Sequence, residues 1–146
     1  MVERVTDNDE VPGSIPGTPT MIEVSAGIIE RDGKFLIAKR KKEQHLGDRW
    51  EFPGGKIEPQ ESSEDCIVRE LKEEFGIMTE VAKLLGESVF DYGDRKVRLF
   101  GYLVNYISGE IKPHAHDEIR WISLDEFAQF DFVEADRPFI EKLRGL

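Results

Sequence analysis

The chain has 146 residues, 39% hydrophobic and 34% charged, with a net charge of −10 at neutral pH. That length suits one domain with a sizeable core, and the acidic balance excludes a general nucleic-acid binder, because phosphates are repelled unless a basic patch faces them. A single cysteine, Cys66, excludes an intramolecular disulfide and a thiolate metal site; no apolar run reaches membrane-spanning length and no secretory pattern opens the chain, so a cytoplasmic location without membrane partners is expected.

Residues 1–20 are rich in Pro, Gly, Ser, Thr and acidic side chains without an apolar period. This predicts a flexible N-terminal extension, alternatively a regulatory or interface arm, before a domain over 21–146. Residues 22–29 form the first predicted strand, Arg31-Asp32-Gly33-Lys34 a hairpin turn, and 35–39 the returning strand. A polar loop over 41–49 leads to a strand over 50–52 and a turn at Gly54-Gly55. A helix follows, capped by Ser62 or Ser63 and ended by Gly76, a position where a left-handed residue is common. Ile67, Val68, Leu71 and Phe75 form its apolar face, with Cys66 buried beside them. Strands are predicted over 82–90, 96–107 and 119–122, with a turn at Gly109. Helices are predicted over 124–130, capped by Ser123, and over 137–143. This order predicts an α/β fold, a mixed sheet between helices, with no internal repeat.

On the first helix Glu70, Glu73 and Glu74 stand at i, i+3 and i+4 and share one face. Two like charges about 5 Å apart repel by roughly 3 kcal/mol at an effective dielectric of 20. Such a cluster on an accessible face suits a hard cation, Mg²⁺ or Mn²⁺, better than zinc; a solvated acidic face is the alternative. The surrounding residues read Gly55-x5-Glu61-x7-Arg69-Glu70-Leu71-x-Glu73-Glu74-x-Gly76-Ile77. This stretch resembles the Nudix box, GX5EX7REUXEEXGU with U aliphatic, without gap or substitution. The preceding Trp50-Glu51-Phe52-Pro53-Gly54-Gly55-Lys56 resembles the MutT-type branch of that family.

The resemblance implies the Nudix fold, an α/β/α sandwich around a mixed sheet, and hydrolysis of a phosphoanhydride bond in a nucleoside diphosphate linked to a further group. It implies that Glu70, Glu73 and Glu74 hold the metal, with the Gly54 carbonyl as a further ligand. Glycines at 54 and 55 let the backbone come close to metal and phosphate. Arg69 reads as an organiser reaching towards Glu73 or Glu61, and Glu61 as either structural or metal-contacting. Arg40 and Lys56 are phosphate candidates; Arg40 aligns with an arginine after the second strand of MutT-type enzymes. Glu51 is a candidate acceptor for the sugar hydroxyl, and Phe52 a wall of the base pocket or a core residue. Many relatives carry an acidic residue where this chain has Ala115, in His114-Ala115-His116-Asp117-Glu118-Ile119-Arg120-Trp121. The general base is therefore open, with Asp117 and Glu118 as substitutes and loop hydrogen bonding expected of His114 and His116.

Asp136 stands where the MutT-type branch often has a base-reading asparagine. An ionised aspartate only accepts hydrogen bonds, which suits the cytosine amino group and also the N–H donors of 8-oxoguanine. The expected reaction is that of a nucleoside triphosphate pyrophosphohydrolase acting on 8-oxo-dGTP or other modified nucleotides. The alternative is CTP or 5-methyl-dCTP, the related pyrophosphohydrolases resembling this chain through Ile22-Glu23-Val24 and residues 28–34. Tyr92 weakly suggests a dinucleoside polyphosphate hydrolase, and a non-catalytic nucleotide-binding module is a reading of another class.

Overall fold

The computed structural model describes residues 20–114 and 116–146. Residues 1–19, most of the predicted extension, and Ala115 lie outside them. The elements are strands β1 (Thr20–Arg31), β2 (Lys34–Arg40), β3 (Trp50–Glu51) and β4 (Gly54–Lys56), helix α1 (Ser63–Phe75), strands β5 (Met78–Asp91), β6 (Arg95–Ser108) and β7 (His116–Ser123), and helix α2 (Arg137–Arg144). Two 3-10 helices, Leu124–Gln129 and Glu134–Asp136, precede α2.

The β1–β2 hairpin turns on Asp32 and Gly33, both with positive φ (54° and 78°), the conformation that matches the twist of paired strands. The two strands pair only beside that turn, at Glu30↔Phe35 and Arg31↔Lys34, and then diverge. From there β1 runs parallel to β6, which pairs antiparallel with β5, while its other edge takes β4. β2 pairs antiparallel with β3 and β7. The mixed sheet is thus two blocks joined at one hairpin.

Strand alternation assigns the two faces. Ile22, Val24, Ala26 and Ile28 of β1 join Phe35 and Ile37 of β2 in a core with Phe52, Phe127, Phe132 and Phe139. Ile29, Leu36 and Ala38 point the opposite way, against Ile67, Leu71 and Phe75 of α1. Helix layers on both faces give the α/β/α arrangement.

Three local readings change. Gly54 and Gly55 lie in β4, paired with Ala26 and Ser25, where a turn was expected. A β-carbon on Gly54 would sit 2.0 Å from the Ser25 carbonyl oxygen, so the absent side chain serves strand-to-strand approach. The segment at 124–130 is a 3-10 helix, held at its start by the Ser123 amide donating to Glu126 Oε1 at 2.8 Å. On α1, Val68 is only half-buried, and the buried stripe runs through Cys66, Ile67, Glu70, Leu71, Glu74 and Phe75.

Candidate active site

Helix α1 carries the acidic cluster and is fixed at both ends. Ser62 accepts from the Asp65 amide at 3.0 Å, and Gly76 closes the helix in the left-handed conformation (φ 73°). The segment before β7 caps the last turn, with the Lys112 amide on Phe75 O at 2.9 Å and the His114 amide on Glu74 O at 3.0 Å. Ile67, Leu71 and Phe75 are fully buried, worth roughly 1.5–3 kcal/mol each. That anchorage offsets the cost of drawing carboxylates under the helix.

Arg69 organises the cluster. Its Nε and Nη2 donate to the two oxygens of Glu61 at 2.6 and 2.9 Å, a bidentate pair. Its Nη1 donates to Glu70 Oε1 at 2.8 Å and to Glu73 Oε2 at 3.3 Å, and Nη2 also reaches the Lys56 carbonyl at 3.2 Å. The guanidinium holds the Glu61 carboxyl below the usual carboxylate range, while the carboxylates raise the pKa of Arg69 in return.

The carboxylates are not all accessible, contrary to the sequence reading. Glu70 and Glu74 are 1% and 2% exposed, whereas Glu73 faces solvent. Positions 70 and 74 fall on the stripe of Ile67 and Leu71, and β4 makes room beneath it. A β-carbon on Gly55 would lie 2.1 Å from Glu70 Cδ, so the carboxylate occupies the space a side chain there would fill. Burial, with Glu74 and Glu73 adding to it, pushes Glu70 up to about 7 against the pull of Arg69. Glu70 Oε2 is buried without a hydrogen-bond partner among the described residues. The donor chemistry fits a hard divalent cation: all oxygen, like-charged, with one buried lone-pair atom unmet. No three His, Cys, Asp or Glu side chains among the described residues converge into a preassembled site; the Arg69 guanidinium bridges Glu70 and Glu73.

Arg40, Glu51, Phe52 and Asp136, the candidate substrate contacts, are all buried beyond β4. Arg40 Nη1 donates to Glu51 Oε1 at 3.1 Å, their side chains only 3% and 2% exposed. Arg40 Nε donates to the His45 carbonyl at 2.8 Å. The predicted phosphate contact and sugar acceptor are therefore paired with each other, which offsets the cost of burying either charge. Phe52 is fully buried among Phe127 and Phe132, at 5.8 and 5.4 Å between ring centroids, so it sits in the core. Its amide donates to Asp136 Oδ2 at 2.7 Å. Arg40, Glu51, Leu46, Tyr92, Val97, Val133 and Ala135 enclose a cavity of about 20 Å³. The Tyr92 hydroxyl accepts from the Ala135 amide at 3.0 Å, which ties this tyrosine to the wall. A larger groove of about 740 Å³ between Phe90, Phe130, Phe132 and α2 contains none of the predicted site residues. Lys56 is half-buried at the end of β4. Glu118, a substitute base in the sequence reading, is ion-paired with Arg120 at 2.6 Å.

His116 is the residue whose place sequence reasoning missed. Its Nε2 lies 2.8 Å from Glu51 Oε2, and its ring stacks on Phe75 at 5.4 Å and 25°. The strand predicted over 119–122 begins at His116 in the structure, and that three-residue extension turns a loop histidine into an inward-facing one.

The NUDIX domain family model matches residues 20–143. The chain is 39% identical to a CTP pyrophosphohydrolase of Escherichia coli (strain K12), over 86% of this chain and 93% of that protein. It is 34% identical to an 8-oxo-dGTP diphosphatase of the same strain, over 86% and 98%. Among solved structures, that of the E. coli ORF135 protein superposes with a TM-score of 0.78 at 37% identity, covering 91% of this chain and 95% of that one.

Proposed function

This chain belongs to the Nudix family, and from that premise we propose that it is a Mg²⁺-dependent nucleoside triphosphate pyrophosphohydrolase, converting NTP and water to NMP and pyrophosphate. The observation that carries this reading is the Arg69-centred cluster, which packs a carboxylate with one unmet oxygen against a short glycine strand. Glu70, Glu73 and Glu74, with the Gly54 carbonyl, are the groups that would hold the ion. When bound, it supplies charge stabilisation for the pyrophosphate and acidifies water.

The protein's own part is placement. Arg69 fixes Glu61 and Glu70, so the helix presents a set geometry. Glu70 is buried against Gly55 with Oε2 unmet among the described residues, an oxygen kept for the ion. Lys56, at the end of the glycine strand, and Arg40, once released from Glu51, supply positive charge for the phosphates. Asp136 reads donor groups on the base.

The preferred substrate is a damaged or modified nucleotide such as 8-oxo-dGTP. Asp136 also favours a second reading, cytidine triphosphates, since a buried acceptor-only side chain matches the cytosine amino donor, and one relative is a CTP pyrophosphohydrolase. No helix among the described residues is long and apolar enough to cross a membrane.

The test is pyrophosphate release with Mg²⁺ from 8-oxo-dGTP, dGTP, CTP, dCTP, 5-methyl-dCTP, diadenosine tetraphosphate and ADP-ribose. A kcat/KM preference for 8-oxo-dGTP supports the first reading, and one for the cytidine nucleotides the second. Absence of turnover on every compound would overturn the enzymatic reading in favour of a nucleotide-binding module.

A further inference from the structure

We infer that His116 is a positioning residue of the nucleotide site, holding the Glu51 carboxylate so that Arg40 can exchange it for a substrate phosphate. The inference rests on the proposal that Arg40 meets phosphate.

Glu51 lies between two donors. Arg40 Nη1 takes Oε1 at 3.1 Å and His116 Nε2 takes Oε2 at 2.8 Å, with side-chain exposures of 3%, 2% and 6% for Arg40, Glu51 and His116. A carboxylate only accepts, so Nε2 is the ring nitrogen that carries the hydrogen. The opposite nitrogen, Nδ1, is buried without a hydrogen-bond partner among the described residues. The imidazole is therefore directed to Glu51 through one edge alone. Two features hold it there. Residue 116 is the register partner of residue 40 across β2 and β7, beyond a bulge between Lys39 and Arg40 that re-aims the strand. The ring face rests on Phe75, the last residue of the helix bearing the acidic cluster.

This arrangement suits an exchange of partners. An incoming triphosphate competes with Glu51 for the Arg40 guanidinium, which binds phosphate and carboxylate with the same fork. As Arg40 turns to phosphate, Oε1 of Glu51 is released, while His116 still holds Oε2 and keeps the carboxylate oriented. One movement then presents a cation to the phosphates and an acceptor oxygen to a hydroxyl or amino group of the nucleoside. Without the imidazole, Glu51 draws Arg40 more strongly and substrate binding has more to overcome.

The experiment compares His116→Ala and His116→Gln, each also in a Glu51→Gln background, by steady-state kinetics on the nucleotide the intact chain turns over best, and by thermal denaturation. Glutamine keeps a terminal N–H donor. His116→Ala is expected to raise KM about tenfold, the scale of one lost charged hydrogen bond, with a much smaller change in kcat. His116→Gln is expected to restore most of the KM, and in the Glu51→Gln background the alanine change to add little. The inference is overturned if His116→Ala lowers melting temperature while KM stays unchanged, if alanine and glutamine behave alike, or if kcat falls at constant KM. The unaltered chain separates the two claims: if it hydrolyses the nucleotide while neither variant moves KM, the positioning role alone is lost.

Discussion

Glu70 and Glu73 sit one helical turn apart and differ in almost everything that governs a carboxylate. Glu73 faces solvent, whereas Glu70 is buried, which pushes its carboxyl up to about 7. A folded-state pKa above the unfolded value means that the native protein binds the proton more tightly. Its stability therefore falls as pH rises from about 4.5 to about 7, the reverse of a salt-bridged carboxylate. Glu70→Gln removes that penalty, and at pH 8 without divalent metal it should be more stable than the unaltered protein by on the order of 3 kcal/mol, and melt higher. Equal melting curves at pH 8 would contradict a desolvated Glu70. Glu73→Gln should leave stability nearly unchanged yet lower Mg²⁺-dependent turnover by about 100-fold or more. Hydrolysis at the original rate would remove Glu73 from the metal set.

At the scale of elements, α1 and β4 act as one unit because Glu70 fills the space above Gly55. Gly55→Ala puts a methyl group into that carboxylate. The expected result is a loss of activity far exceeding the loss of stability, measured as kcat against the denaturant midpoint; a proportionate loss of both would indicate general unfolding. The helix was legible because its signals are local: Ser62 at the start, Gly76 at the end, and Ile67, Leu71 and Phe75 at helical spacing. The burial of Glu70 was not, since it depends on a strand 15 residues earlier running beneath the helix. β4 was read as a turn because its two glycines carry no β-propensity; their pairing with Ser25 and Ala26 is a tertiary fact. Arg40 and Glu51 were singled out from sequence as substrate contacts. Their mutual pairing was hidden because it arises where β2 meets β3.

Over the whole molecule, the proposed metal site sets proton and cation in competition for the oxygens of Glu70. Mg²⁺ at tenfold excess over its dissociation constant should stabilise the fold by about 1.4 kcal/mol, and one fixed Mg²⁺ concentration should raise the melting temperature more at pH 8 than at pH 6. A metal effect independent of pH would place the ion elsewhere. The two blocks of the sheet divide the remaining labour. The acidic cluster belongs to α1 and β4 on the β1 side, whereas Arg40, Glu51 and His116 belong to β2, β3 and β7. The blocks pair directly at only two residue positions, Glu30↔Phe35 and Arg31↔Lys34. On the proposed assignment, a substitution on β2, β3 or β7 alters how the nucleotide is gripped without touching the carboxylates that α1 and β4 hold together.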